Sequence, residues 1–396
     1  MNYRTNQKCG DELSILGFGC MRYPTSGAGI DTKATEELLV RAVELGINYF
    51  DTAHLYYAGR SEAVLGETLA QNNLRDKVKI ATKLPPFFVR KAQDIDKLFN
   101  VQLKRLKTDY IDYYLLHMLT DKGTFDRMRS LGIEQWAANK KKSGEIKNFG
   151  FSYHGGKNGF VELVDSYDWD LCQIQYNYYD ENNQAGKSGL EYASSKGLPV
   201  IIMEPLRGGR LVNNLPQEAA NAFLGANPER SFADWGLSWV WNHPEATVAL
   251  SGMSSMEQLT DNVKAATRAT PGFLTREELE LFDKVKQILK AKTKIECTGC
   301  GYCMPCPSNV DIPLCFSYYN DIFINGKGAA MRGYLQNANI ISKKPNLASL
   351  CTRCGKCEPL CPQGIEIREW LEKTKKAFEP PIVKFAIKFA KLFVQT

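Results

Sequence analysis

The sequence contains no long uninterrupted apolar run, and its longest runs fall far short of the roughly 18 residues that a membrane-spanning helix needs. Its opening residues, MNYRTNQKCGDEL, are polar throughout, so we expect no signal peptide and a cytoplasmic protein. Most of the chain also lacks an excess of positive charge, because +4 of the net charge of +6 lies in residues 370–396. The nearly neutral body argues against nucleic acid as the main partner.

Cysteine is abundant, but its setting argues against a disulfide scaffold. Twelve cysteines occur among 396 residues. Disulfides are rare in chains without an export signal, so metal binding is the better interpretation of most of these residues. At this length, two domains are the default expectation.

Short apolar runs alternate with helical stretches from residue 13 to about residue 290, which predicts repeated strand–helix units and a parallel sheet. Their number and length match a (β/α)8 barrel. A doubly wound open sheet is the alternative, but no GxGxxG motif follows the first run. The eight runs are LSILGFGCM, INYFD, VKIATK, YIDYYLLH, IKNFGFS, DLCQIQY, PVIIME and ATVALSG.

Several of these runs end on a polar residue. Asp51, Lys83 and His117 end three consecutive runs, and Ser152, Gln175 and Glu204 end later ones. The carboxyl ends of barrel strands meet on one face, where barrel enzymes carry out their chemistry. An ordinary strand-to-loop transition explains any one of these residues, but less easily a carboxylate, an ammonium and an imidazole in succession.

The segment after the second run, FDTAHLYYAGRSEAVLGETL, adds two phenols, Tyr56 and Tyr57. A phenol has a pKa near ~10 in water, a nearby ammonium favours the phenolate, and a carboxylate holds that ammonium in place. A Tyr–Lys–Asp set is therefore a suitable general acid, and an imidazole beside it can orient a carbonyl oxygen. Carbonyl reduction by hydride requires such a set.

The FDTA…Y…SE…LG stretch, together with the strand-end lysine and histidine, resembles the aldo/keto reductase family over roughly residues 10–290. The resemblance implies a barrel enzyme with Tyr56 as proton donor, Lys83 and Asp51 as the groups that tune it, and His117 as the orienting group. Tyr57 is the competing phenol. Tyr56 is preferred because the family places its tyrosine five residues after the aspartate.

The same resemblance implies a nicotinamide nucleotide. Residues 252–262 carry no lysine or arginine to bind a 2′-phosphate, so NADP and NAD both stay open. For the substrate, Arg22 and His154 are candidates, with a structural ion pair as the alternative role of Arg22. The implied nucleotide contacts are Ser152 and Gln173 at the carboxamide, Leu206 and Gly208 in the pyrophosphate loop EPLRGGRL, and Gly252, Ser254, Gln258 and Asn262 at the adenosine end.

Two cysteine runs follow, IECTGCGYCMPCP and CTRCGKCEPLCP. The second run has the spacing C-x2-C-x2-C-x3-C-P of two-cluster bacterial ferredoxins, in which the fourth cysteine binds the other cluster. The first run differs in having two residues before its fourth cysteine. Zinc is the alternative, but two runs of four cysteines, each followed by proline, fit two [4Fe–4S] clusters better. Cross-ligation would place Cys297, Cys300, Cys303 and Cys361 at one cluster and Cys306, Cys351, Cys354 and Cys357 at the other.

We therefore predict a (β/α)8 TIM barrel at 1–291, a smaller, mainly helical, ferredoxin-like iron–sulfur domain at 292–376, and a basic amphipathic tail helix at 377–396. The stretches 275–291 and 313–335 are expected to be helical. Docking of the tail on the barrel is favoured over contact with an anionic membrane surface or with a partner.

The predicted function is an oxidoreductase of the aldo/keto reductase type that converts a small carbonyl or alcohol substrate with a nicotinamide and is coupled to electron transfer through the clusters. The clusters could supply electrons from an external ferredoxin or another redox protein, accept electrons from the site, or be structural. One alternative is a ferredoxin-dependent reductase whose barrel binds substrate but no nucleotide. Another is a non-catalytic nucleotide-binding redox sensor or adaptor. The sequence does not specify the substrate, the direction of reaction or the oligomeric state.

Overall fold

The computed structural model describes residues 1–27, 29–213, 215–338 and 345–380. The chain divides into two compact units, Met1–Leu206 with Glu229–Arg276, and Arg207–Pro228 with Glu277–Thr396. The domain boundaries proposed from sequence motifs at residues 291 and 376 stay predictions. The predicted tail helix lies outside the described residues from residue 381 onward.

The first unit is a closed barrel of eight parallel strands, each paired with the next along the chain, and β8 closes onto β1. Every predicted apolar run overlaps one of these strands, so the predicted barrel is confirmed. The strands are β1 Leu16–Gly19, β2 Tyr49–Asp51, β3 Lys79–Leu84, β4 Ile111–Leu119, β5 Ile146–Tyr153, β6 Leu171–Gln175, β7 Val200–Met203 and β8 Ala246–Ser251. Two small hairpins pair Tyr3–Thr5 with Glu12–Ser14 and Thr25–Ser26 with Gly29–Ile30.

Helices follow the strands, and several begin at a side chain that accepts a backbone N–H, as Asp31, Asp121 and Ser255 do. In chain order the helices are α1 Thr32–Glu44, α2 Arg60–Gln71, α3 Gln93–Leu106, α4 Lys122–Ser130, α5 Ile133–Ser143, α6 Lys157–Val164, α7 Gly186–Ser195, α8 Arg210–Asn213, α9 Gln217–Ala226, α10 Phe232–Trp241, α11 Met256–Arg268, α12 Arg276–Lys292, α13 Ile312–Ile324, α14 Lys327–Asn337 and α15 Ile367–Phe378.

The interior of the barrel is filled by apolar side chains from the strands, including Tyr49, Tyr113, Leu171 and Val248. A filled barrel leaves no channel, so a ligand must bind at an end of the barrel rather than inside it. The polar residues at the carboxyl ends of the strands are therefore placed where a site can form.

The second unit is helical and has its own apolar core, to which Phe316, Tyr334, Leu371 and Phe378 contribute. The stretches predicted to be helical correspond to α12 and to α13 with most of α14, and both cysteine runs lie in the loops beside them. Among the described residues, no helix combines the length and the apolar character that crossing a membrane would require.

Candidate active site and cluster ligands

Asp51 and Lys83 form a buried ion pair at the carboxyl ends of β2 and β3. The Lys83 Nζ donates to Asp51 Oδ1 at 2.6 Å and to the Thr52 carbonyl at 2.8 Å. The side chains of Lys83 and Asp51 are only 1% and 3% exposed, respectively. Burial raises the pKa of the Asp51 carboxyl, and the charge of Lys83 acts against that rise. The pair fixes the ammonium in a dry part of the site.

Tyr56 lies near both this ammonium and the imidazole of His117. The Lys83 Nζ is 5.2 Å from the centre of the Tyr56 ring. The His117 ring centre is 6.2 Å from that of Tyr56, with an interplanar angle of 78°. Burial lowers the pKa of His117 well below its usual value, and the charge of Lys83 adds to the effect, so the imidazole is neutral at pH 7. The structure thus brings the four predicted catalytic residues together.

The backbone conformation after Leu55 places the side chains of Tyr56 and Tyr57 against different partners. Tyr57 and Ala58 have φ values of 50° and 54°, a left-handed conformation that is uncommon outside glycine. The Tyr57 hydroxyl accepts the Tyr23 backbone N–H at 3.1 Å, and the Tyr57 ring stacks on that of Tyr23. Tyr57 therefore has a structural partner on the β1 side, whereas Tyr56 faces Lys83 and His117.

A buried polar network supports β3 from behind the site. The fully buried Glu62 carboxylate accepts from Thr82 Oγ1 at 2.7 Å, Gln102 Nε2 at 2.6 Å and Arg105 Nη1 at 3.0 Å. Gln102 also donates to the Lys83 carbonyl at 3.1 Å. Our sequence reasoning missed this network, because Gln102 and Arg105 lie on α3 and no linear motif connects them with the site.

Residues 15–286 match the model of the Aldo/keto reductase family. The chain belongs to the aldo/keto reductase family. Residues 296–366 match a 4Fe-4S dicluster domain, so this aldo/keto reductase is an oxidoreductase with an iron–sulfur domain.

Relatives and solved structures agree with this assignment. Methylglyoxal reductase YeaE of Escherichia coli is 29% identical over 284 residues, which cover 68% of this chain and 91% of that protein. The aldo-keto reductase AKR11C1 from Bacillus halodurans is 26% identical, with a TM-score of 0.60 over 72% of this chain and 96% of that one. An aldo/keto reductase from Klebsiella pneumoniae, solved in complex with NADP and acetate, has a TM-score of 0.58 over 72% of this chain and 96% of that one, and at 23% identity it indicates the fold alone.

Two predicted carboxamide contacts of this aldo/keto reductase lie in β5 and β6, beside the ion pair. Gln173 Nε2 donates to Asp51 Oδ2 at 3.2 Å, and its buried Oε1 has no hydrogen-bond partner among the described residues. The Ser152 hydroxyl accepts the Met118 backbone N–H at 2.9 Å. A buried acceptor without a partner is costly, so Gln173 suits a ligand that donates an N–H, as a carboxamide does.

The predicted adenosine contacts lie around the start of α11. The Ser254 backbone N–H donates to Gln258 Oε1 at 2.9 Å. Asn262 Nδ2 donates to Ser251 Oγ at 2.9 Å, while its buried Oδ1 has no hydrogen-bond partner within the described ranges. This second unpaired acceptor fits the amino group of an adenine.

The predicted pyrophosphate loop follows β7 and contains several left-handed residues. Leu206 packs so closely against Gly236 that an added Cβ there would come within 2.6 Å of Leu206 Cδ2. Gly208 has a φ of 66° and belongs to the second compact unit. The structure therefore assigns Leu206 and Gly208 to different units, although they are two residues apart.

The two substrate candidates differ in exposure. Arg22 is exposed, lies against Gly252, and forms no ion pair within the described residues, which leaves its guanidinium available for an anion. His154 is buried, and burial lowers its pKa to about 4. At neutral pH, therefore, His154 carries no charge and could contact a substrate only as a neutral imidazole.

Several cysteines of the second unit lie near cysteines of the other run. One small cavity is lined by Cys297, Cys300, Cys303 and Cys361. Burial raises the pKa of Cys357, with Cys351 and Cys306 among the contributing neighbours. Cys361 of the second run therefore lies with three cysteines of the first run, and Cys306 of the first run lies near two of the second. The cross-ligation of two clusters stays a prediction.

The donor set consists of thiols, which can hold iron–sulfur clusters or zinc. The match of residues 296–366 to a 4Fe-4S dicluster domain favours clusters. Backbone N–H groups of Gly299 and Arg353 approach Cys297 Sγ and Cys351 Sγ at 3.4 Å, as expected for sulfurs that carry cluster charge.

Proposed function

We propose that this aldo/keto reductase interconverts a small carbonyl compound and the corresponding alcohol with a nicotinamide nucleotide, and that it exchanges electrons through two [4Fe–4S] clusters. The observation that carries the catalytic part is the buried Lys83–Asp51 pair near the Tyr56 ring, with neutral His117 also near that ring. A protein that only bound nucleotide would have no need of this arrangement.

In the direction of reduction, Tyr56 donates its proton to the carbonyl oxygen. A nicotinamide nucleotide bound here would supply the hydride to the carbonyl carbon. The Lys83 ammonium stabilises the phenolate that remains, and Asp51 keeps that ammonium in place. His117, held neutral by burial, donates a hydrogen bond to the same oxygen and orients it. In the reverse direction the Tyr56 phenolate accepts the proton of the alcohol.

The residues proposed to contact the nucleotide favour nucleotide binding but do not distinguish NAD from NADP. Gln173 and Asn262 each keep one buried acceptor without a partner among the described residues. These two atoms support the proposed carboxamide and adenine contacts. Because residues 252–262 contain no cation, NAD and NADP both remain candidates.

The clusters would be held by the two cysteine groups, and a [4Fe–4S] cluster supplies one electron at a time. Cys297, Cys300, Cys303 and Cys361 would hold one cluster. Cys306, Cys351, Cys354 and Cys357 would hold the other. The grouping of Cys361 with the first run, and of Cys306 with the second, supports this assignment.

Substitution of the two phenols tests the acid. Tyr56→Phe should lower kcat for carbonyl reduction by at least about 100-fold, the usual contribution of a general acid, and leave nucleotide affinity nearly unchanged. Tyr57→Phe is the matched control, since it removes only the hydrogen bond to Tyr23. Steady-state kinetics with a panel of aldehydes and ketones, and nucleotide binding by fluorescence, give both readouts. Equal loss in the two variants would contradict the assignment of Tyr56.

Anaerobic addition of NADH and then NADPH to the iron-loaded protein tests the coupling. Bleaching of cluster absorbance near ~400 nm, with a paramagnetic signal, is expected for at least one nucleotide. If dithionite reduces the clusters but neither nucleotide does, direct coupling is wrong. Turnover with reduced ferredoxin and none with nucleotide would then favour the ferredoxin-dependent reductase.

A further inference from the structure

The two proposed cluster sites differ in exposure. We call the group Cys297, Cys300, Cys303 and Cys361 the inner site, and the group Cys306, Cys351, Cys354 and Cys357 the outer site. None of the inner cysteines is exposed, and Cys297 is buried, whereas Cys354 of the outer site is exposed. A carrier protein can therefore approach the outer site more closely.

A buried arginine lies beside the inner site. Arg207 is 3% exposed, and its Nη2 donates to the Glu296 backbone carbonyl at 3.2 Å as well as to the Glu296 carboxylate. Glu296 directly precedes the ligand Cys297. The Arg207 guanidinium therefore contacts the residue that precedes a proposed cluster ligand.

The surroundings of this arginine are also positive. Arg207, Arg210 and Lys292 line a cleft of about 460 Å³, in which Asp321 is the only acidic lining residue among the residues that the structure describes. The carboxylate of Glu296 is 49% exposed, so water screens its negative charge more than the positive charge of buried Arg207.

The outer site also has two arginines, and both are much more exposed than Arg207. Arg353 and Arg368 have side chains 52% and 39% exposed, and they form ion pairs with Glu369 and Glu358, respectively. Solvent and the paired carboxylates leave little net positive potential at this site.

We propose that Arg207, assisted by Arg210, gives the cluster at the inner site a higher reduction potential than the cluster at the outer site. A reduced cluster carries one more negative charge than the oxidised cluster, so a buried cation lowers the free energy of the reduced form. One electron that enters at the outer site then passes to the oxidised inner cluster, with no bond or proton change. The inference rests on the proposed function, because it requires both clusters.

A redox titration of the full-length, cluster-loaded protein, followed by paramagnetic resonance, tests the inference. The wild-type protein should show two midpoint potentials. Arg207→Gln should lower one of these midpoint potentials by at least about 59 mV. For a one-electron couple, this shift is a tenfold change in the ratio of reduced to oxidised cluster. Arg353→Gln, the matched substitution beside the outer site, should shift neither potential by that amount. Arg207→Lys keeps the charge and should retain most of the wild-type value.

Glu296→Gln provides an independent test, should Arg207→Gln lose its clusters. Removal of this carboxylate should raise the same potential that Arg207→Gln lowers. Unchanged potentials in Arg207→Gln or Glu296→Gln, or an equal shift in Arg353→Gln, would overturn the inference. A wild-type protein without two reducible clusters would instead contradict the proposed function, so the two failures are distinguishable.

Discussion

At the scale of single residues, Lys83 influences two groups in the site at once. Its ammonium lies 5.2 Å from the Tyr56 ring centre, where it favours the phenolate. The same charge adds to burial in lowering the pKa of His117. A single buried cation thus makes a phenol easier to ionise and keeps an imidazole neutral, which is the combination that carbonyl reduction requires.

The pH dependence of stability should contain a measurable contribution from His154. Burial lowers its folded pKa to about 4, from an ordinary value of 6.5. Between these values the unfolded chain binds the proton more tightly, so stability is lost as the pH falls below 6.5 and is unaffected above it. Between pH 7 and pH 5, the free energy of unfolding should fall by ~2 kcal/mol more in the wild-type protein than in His154→Gln. Urea unfolding at both pH values, followed by tryptophan fluorescence, measures this difference. Parallel pH profiles would contradict the assignment of a buried, neutral His154.

The residues of the site that lie at strand ends could be predicted from the sequence, and those that lie on α2 and α3 could not. Asp51, Lys83 and His117 could be predicted because the apolar runs that precede them are local signals. Glu62 and Gln102 could not, because their partners come from different helices and meet only in the folded chain. The choice between Tyr56 and Tyr57 depends on a left-handed turn at Tyr57 and Ala58. None of the residues before the glycine in the LYYAG segment predicts that turn.

At the scale of elements, the close approach of α2 and α3 supports the position of Lys83. A Cβ at Gly66 of α2 would come within 2.4 Å of the Arg105 carbonyl oxygen of α3. Since α3 also carries Gln102, which binds the Lys83 carbonyl, the small residue at position 66 lets the polar network reach β3.

Gly66→Ala should therefore destabilise the barrel, although alanine is the better helix former. The added methyl meets backbone, which cannot rotate away, and overpacking of this kind costs about 1–3 kcal/mol. Gly225→Ala in α9 is the matched control, because no atom lies within 4 Å of its added Cβ, and it should be neutral or stabilising by up to about 1 kcal/mol. Free energies of unfolding in urea give both values. Equal effects of the two substitutions would show that the contact of α2 with α3 is not tight.

At the scale of the whole molecule, the division into compact units follows contacts and not chain order. The eight strands were predictable because buried parallel strands are continuous apolar runs. The segment Arg207–Pro228 follows β7, yet it belongs to the second unit with Glu277 and the residues after it. No local pattern predicts this, since α8 and α9 resemble ordinary helices of the barrel and only their contacts assign them.

The proposed cross-ligation is likewise a property of the folded second unit. Double substitutions can distinguish it from an arrangement in which each cysteine run binds its own cluster. Cys361→Ala alone should remove one cluster and about half of the bound iron. With cross-ligation, Cys297→Ala added to Cys361→Ala should remove no further iron, because both cysteines bind the inner cluster. Cys351→Ala added to Cys361→Ala should remove both clusters. If each run bound its own cluster, these two double variants would give the opposite results. Iron content and paramagnetic resonance after anaerobic reconstitution measure the outcome, and loss of all iron in Cys361→Ala alone would show that the two sites assemble only together.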